Sequence, residues 1–278
     1  MRKTPNKLYH YCSIDSFFKI IESKLIWLSN SSQMNDEKES TWIEQYFDII
    51  EEIFSGEKYN EYLKVLFDTY YANKFPPYIF CLSENKDSLS QWRAYSSDGQ
   101  GICIGFNTKY LDFKRDLPSQ SVYAEDTLGL MDVIYNPNQQ KKNIINKVHF
   151  YKGLYDEREN EEFWLMSSSL LAFWLNENSL VFKNESFSEE KEWRLIHTPL
   201  QMEYEREIKR LSEINFRVSN HKIITYFCYL FDDIFSSKLI PEIVLGPKSR
   251  IDLNELELFL KNNNLKKTKI LKSKSTYR

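Results

Sequence analysis

The sequence predicts an α+β domain on three grounds. Short apolar runs of strand length alternate with helical stretches from one end of the chain to the other. The first thirty residues hold a strand–helix–strand unit with almost no loop. No internal repeat or low-complexity linker divides the chain. With 278 residues, 19 Phe, 18 Tyr and 6 Trp, the chain has enough apolar surface to bury a sizeable core. One domain over 1–278 is expected, with a helical insertion at 37–74 and a second helical segment at 137–182.

LYHYC (8–12) reads as the first strand. Ser13 or Asp15 can cap the helix that follows, where Phe17, Ile20 and Ile21 recur at helical spacing. LIWLSN (25–30) is a second strand, so the unit either crosses over in parallel or lays its helix on a sheet edge. From Glu37 to Tyr71, Trp42, Tyr46, Ile49, Ile50 and Ile53 form one stripe, and Gly56 splits the stretch into two helices. After Pro76-Pro77, YIFCLS (78–83) is a buried-looking strand, Asp87 to Tyr95 a short helix, and ICIGF (102–106) a strand after the Asp98-Gly99 turn. The stretch 107–136 is the least periodic and reads as loop with short strands. Helices follow at 138–154 and 159–182. Strands are expected at 193–197, 222–231, 241–246 and 268–273, with an Asp252-capped helix before the last.

Composition narrows the function. The formal net charge is −3, so no global basic field draws the chain to nucleic acid, although residues 261–278 are locally basic. The four cysteines are scattered without ligand spacing, which argues against a disulfide framework or a cysteine zinc site. The four histidines form no HExxH-like pair, so no metal ligands are assigned. No apolar run approaches ~20 residues and no secretory h-region follows the basic start, so a soluble, cytoplasmic protein without membrane contact is expected. Walker and GxGxxG loops are missing from the sequence, which disfavours P-loop and Rossmann nucleotide binding.

The stretch EEKEWRLIH (189–197) is the strongest chemical signal. Read as one strand, it puts Glu190, Glu192 and Arg194 on one face and Trp193 and Leu195 on the core face. Those charges are either a solvated face, whose exposed pair is worth ~0–1 kcal/mol, or carboxylates aimed into a cleft. His10 shares a face with Leu8 and Cys12, a setting in which a lone histidine is usually a hydrogen-bonded core residue. Trp92 and Tyr95, three apart on a helix, suit a core or a wall for stacking a planar ring. In SSQMNDEKES, Asn35 or Asp36 reads as a helix cap, with a weaker reading of the cluster as an acidic magnesium site.

Taken together, LYHYCSIDSFFKIIESKLIWLSNSSQMNDEKE, CLSENKDSLSQWRAYSSDGQGICIGF, FKNESFSEEKEWRLI and ILKSKSTYR resemble a bacterial family known as domain of unknown function 2971, over nearly the whole chain. Its members carry an N-D-P-x-E segment, an M-W-x-x-Y helix, E-x-E-W-R and an S-x-x-Y-R-like end. Here Glu37 stands for the proline and Gln91 for the methionine. A remoter similarity is to ADP-ribosyltransferases of the histidine–tyrosine–glutamate type, related to the DNA- and RNA-modifying toxins. That resemblance implies a mixed or antiparallel sheet core and NAD as substrate. It implies that His10 holds the nicotinamide-side ribose, with Ser29 and Asn35 near the dinucleotide. Trp92 and Tyr95 are both candidates for the middle aromatic, on a helix rather than at the usual place, and Arg194 either holds a phosphate or keeps Glu192 ionised. Glu192 is then the catalytic carboxylate, Glu190 serves the accepting nucleophile, and His10 and Glu192 must face one cleft. A toxin or anti-phage effector acting on nucleic acid or protein is the corresponding role. Two other classes stay open: a metal-dependent nucleic-acid hydrolase or binder using the basic tail, and a non-catalytic sensor or interaction module with a structural E-x-E-W-R strand.

Overall fold

The computed structural model describes residues 3–33, 41–74, 76–111, 113–119, 121, 123–157, 161–199, 208–219 and 221–277. Along the chain come β1 (Lys7–Cys12), α1 (Ile14–Ser23), β2 (Leu25–Asn30), α2 (Phe47–Ile53), α3 (Asn60–Ala72), β3 (Tyr78–Ser83), α4 (Leu89–Tyr95) and β4 (Ile102–Asn107). There follow α5 (Thr108–Leu111), β5 (Leu128–Asp132), α6 (Pro137–Glu157), α7 (Glu161–Ser179), β6 (Glu192–His197), β7 (Asn215–Ser219), β8 (Lys222–Leu230), β9 (Glu242–Leu245), α8 (Leu253–Asn262) and β10 (Lys269–Lys272).

The strands join one mixed, mostly antiparallel sheet in the order β10-β9-β4-β1-β3-β2-β8-β7, with β6 on the other edge of β3 and β5 beyond it. Among the described strand pairs, β9–β10 is the parallel one. The sheet forks at β3. Along one edge β3 pairs with β6 over its whole length, from Tyr78↔His197 to Ser83↔Glu192. Its other edge meets β1 only at Tyr9↔Ser83, and meets β2 at Ser29↔Ile79 and Asn30↔Tyr78. The opening strand–helix–strand unit therefore crosses over in parallel, since both strands run antiparallel to β3. Ser13 caps α1 by accepting the Ser16 amide, and Lys24 at φ 53° ends it.

Each face of the sheet has its own core. Leu8, Cys12, Phe80, Leu82, Trp193 and Leu195 belong to a cluster that α1 and α8 cover through Phe17, Ile21, Leu256 and Leu260. Ile79, Ile196 and Met131 face the other way, onto a cluster supplied by α2, α3, α6 and α7. Both expected helical segments thus pack on one side of the sheet. Gly56 does separate α2 from α3, at φ 113°, while Trp42–Tyr46 is a 3-10 turn rather than the start of a long helix. The sequence reading did not place β5 and β7. Among the described residues no helix is long and apolar enough to cross a membrane.

Candidate active site

The approach to β6 decides where its charges point. Asn184 opens a 3-10 turn over Glu185–Glu190 by accepting the Ser186 amide, and Lys191 ends it in the left-handed region at φ 44°. Continuous alternation from Glu190 is therefore not what forms: the strand starts at Glu192, and Lys191 is the exposed pivot. Glu190 and Glu192 both turn inward as a result. Ser83 fastens the turn by donating its hydroxyl to Glu190 O at 2.6 Å. β6 is buried on both faces, so the open choice from sequence is settled in part: these charges are not a solvated sheet face.

Within the strand, Glu192 and Arg194 share a face, and the guanidinium grips the carboxylate side-on, Nε to Oε1 and Nη2 to Oε2, each at 3.0 Å. Arg194 is 0% exposed and gives its remaining reach to Leu180 O at 2.7 Å. Lys183 enters from the end of the α7 segment and bridges both carboxylates, 2.7 Å from Glu190 Oε2 and 3.1 Å from Glu192 Oε2. Two cations and two carboxylates make a neutral cluster, which is what burial of so many charges requires. Burial pushes the Glu192 carboxyl up, but Arg194 and Lys183 outweigh it and bring it down to about 2. Burial likewise works against the Lys183 ammonium, and the charges of Glu192 and Glu190 keep it protonated.

The two carboxylates differ in what they have left to offer. An ionised carboxylate accepts about four hydrogen bonds. Glu192 takes the two from Arg194, one from Lys183 and one from the Cys81 thiol, so it is full. Among the described residues Glu190 takes Lys183 and the Tyr95 hydroxyl, at 3.0 Å, and stops at two. Tyr95 is 37% exposed and Phe187, whose ring lies 4.6 Å below the Lys183 ammonium, is 36% exposed. Glu190 thus has two part-exposed aromatic side chains near it, Tyr95 through its hydroxyl and Phe187 through the Lys183 ammonium that stands over its ring. Tyr135 sits behind the cluster, its hydroxyl accepting the Glu192 amide at 3.0 Å, and burial followed by the Glu192 charge raises its pKa.

The remaining expected site residues divide. Directly paired residues share a face, and the row Tyr9↔Ser83↔Glu192 places Tyr9, not His10, on the Glu192 side. His10 is a correction: it lies on the opposite face, its ring stacked on Phe80 at 4.2 Å and its Nδ1 2.9 Å from Cys81 O. The divergence of β1 and β2 explains it, because the ring fills the fork where β3 lacks a strand partner. Ser29 does share the Glu192 face, through Ser29↔Ile79↔Ile196, yet it sits two strands across and four residues further along, about 16 Å away at normal strand rise and spacing. It accepts Arg217 at 3.3 Å. Trp92 is a second correction. It is a fully buried core residue, edge-on to Tyr11 at 4.8 Å and bonded to Asp87 at 2.7 Å, so only Tyr95 of that pair reaches the site. Asn35, with the rest of the acidic loop, lies outside the described residues. Sequence reasoning missed Lys183, Tyr135 and Cys81. Lys183 had a signal, a lone cation in the otherwise apolar-to-polar step LVFKNES.

Fold and site together define an α+β domain in which β6 and the turn before it hold a buried, neutral charge cluster with part-exposed Tyr95 and Phe187 beside it. Residues 91–195, from α4 through β6, match the model of a family described as "Protein of unknown function (DUF2971)". No curated protein and no solved structure matches the chain. Among the described residues no three histidine, cysteine or acidic side chains gather where they would hold a metal ion.

Proposed function

We propose that this chain is an ADP-ribosyltransferase-like enzyme that takes NAD as substrate and modifies a nucleic acid or a protein, with Glu190 as the reacting carboxylate. The observation behind this reading is the unequal saturation of the two glutamates: Glu192 is locked, while Glu190 keeps acceptor capacity beside the part-exposed Tyr95. A carboxylate beside part-exposed aromatic side chains suits a planar cationic ring, and the nicotinamide of NAD is one. In the reaction the bond from the ribose C1′ to nicotinamide nitrogen breaks and its electron pair leaves with nicotinamide. The oxocarbenium-like sugar is then captured by the target nucleophile, whose proton passes to Glu190. Glu192 and Lys183 are positioning residues that fix Glu190, and His10 takes no part in this version.

Labelled NAD incubated with the chain and a cell lysate tests the proposal. Label transfer or nicotinamide release is expected. An intact NAD pool, with no NAD binding by calorimetry, would sink it. The full acceptor set of Glu192 favours a second reading, in which the cluster is a structural hub of a non-catalytic interaction module. NAD turnover lost on Glu190→Gln at unchanged fold decides against that module.

A further inference from the structure

The closing segment ILKSKSTYR lies outside the matched residues 91–195 and is not used by the cluster around Glu190. It nevertheless grips the helix that carries Tyr95. We infer that Ser273–Tyr277 is a strap that holds α4, and with it Tyr95, against Glu190; this rests on reading Glu190 and Tyr95 as the working edge.

The strap binds α4 at both ends. Just before the helix, Asp87 accepts the Ser273 hydroxyl at 2.5 Å, the Lys274 amide at 2.7 Å and, from α4 itself, the Trp92 indole at 2.7 Å. Burial raises the Asp87 carboxyl, but these donors outweigh it and hold it below the usual carboxylate range. Just after the helix, Ser97, Asp98 and Gly99 take φ values of 51°, 55° and 83° in succession. Two of those three carry side chains, so the turn is strained and needs outside support. That support comes from Tyr277, whose hydroxyl donates to Asp98 at 2.7 Å, and from Lys248, which donates to the other oxygen at 2.8 Å. The Tyr277 ring also sits 3.9 Å from the Lys248 ammonium and 5.7 Å from the Arg93 guanidinium of α4. Along the strap, residues 273, 275 and 277 are half-buried while 274 and 276 are exposed, the alternation of an extended segment laid on a surface. A seven-residue helix has little stability of its own, so what holds its ends sets where its side chains stand.

Hydrogen exchange tests this without any substrate. The amides of Trp92, Gly99 and Gly101 report on α4 and its turn through their bonds to Ser88, Trp92 and Ser96, and Ile144 to Tyr151 of α6 serve as reference. A chain ending at Lys272 should exchange at least about tenfold faster at the reporters with α6 unchanged. Tyr277→Phe, which keeps the ring contacts, should fall between the truncated and full-length chains. Unchanged reporters, or an equal rise in α6, would overturn the strap. The link to Tyr95 is read from a double-mutant cycle: Tyr95→Phe should lower Tm in the full chain and leave it almost unchanged in the truncated one. Additive losses would show that the strap does not act on Tyr95. A full chain that leaves NAD intact overturns the enzymatic reading alone, because exchange and Tm are measured without NAD.

Discussion

Glu192 and Glu242 stand on one face of the same sheet, at opposite ends of the paired row Glu192↔Ser83↔Tyr9↔Gly105↔Glu242, about 19 Å apart at normal strand spacing. Both carboxylates are buried and both are held by cations, yet the cations differ. Glu192 is forked by a guanidinium with no exposure and shared with a buried lysine. Glu242 is met by Lys7 at 2.7 Å and Lys86 at 3.8 Å, side chains that are 38% and 51% exposed, and by the Tyr9 hydroxyl at 2.8 Å. Gly105 makes that last contact possible, since a Cβ there would stand 3.0 Å from the Tyr9 ring and 3.1 Å from Glu242 Cγ. A closed cluster must stay neutral and fully bonded, whereas an open one exchanges protein contacts for water at little cost. The first can fix a reacting group; the second only ties two strands to the rim.

The largest test of that contrast is Arg194→Met. It strips the fork from Glu192 and leaves two buried carboxylates with one cation, so a loss of about 3–5 kcal/mol in urea denaturation is expected. A loss under about 1 kcal/mol would place the cluster with the rim pairs. Next comes pH. The Glu192 carboxyl titrates near 2 when folded, against about 4.5 when free, so its stabilisation is complete above pH 4.5 and disappears as pH falls toward 2. The amount is roughly 3 kcal/mol, and Glu192→Gln should flatten that part of the acid-denaturation curve.

His10 sharpens the comparison from the other face. Burial lowers its pKa to about 4, with the Cys81 carbonyl partly opposing, so the unfolded chain binds the proton first. Stability is therefore complete above pH 6.5 and declines toward pH 4, by about 1–2 kcal/mol for this half-buried ring, and His10→Gln should remove that slope. An NMR titration midpoint near 6.5 would contradict it. The smallest effect belongs to the rim: Lys86→Ala should cost no more than ~1 kcal/mol, and added salt should shrink even that while leaving the Arg194→Met loss intact.

Much of the fold was legible because it is written in periodicity. The strands at Lys7–Cys12, Leu25–Asn30 and Tyr78–Ser83 and the helix at Leu253–Asn262 follow from apolar spacing, caps and turn residues. β7 was missed because Phe216 and Val218 are exposed, so its alternation marks no core. At the site, the grouping of Glu190, Glu192 and Arg194 was legible, though for a reason that alternation did not supply: a left-handed Lys191 turns Glu190 inward. The place of His10 was not legible. Which face of β1 looks toward Glu192 depends on the register Tyr9↔Ser83, a contact across seventy residues that no local pattern encodes.

The central claim is that Glu190 reacts while Glu192 holds it in place. NAD turnover by Glu190→Gln and Glu192→Gln, each compared with wild type at equal folded fraction, tests this most directly. The account predicts that Glu190→Gln loses turnover by about a hundredfold or more per folded molecule, whereas Glu192→Gln, which undoes the Arg194 fork as well as the Lys183 pair, costs more stability than Glu190→Gln does. A Glu190→Gln chain that turns over NAD at the wild-type rate would contradict it.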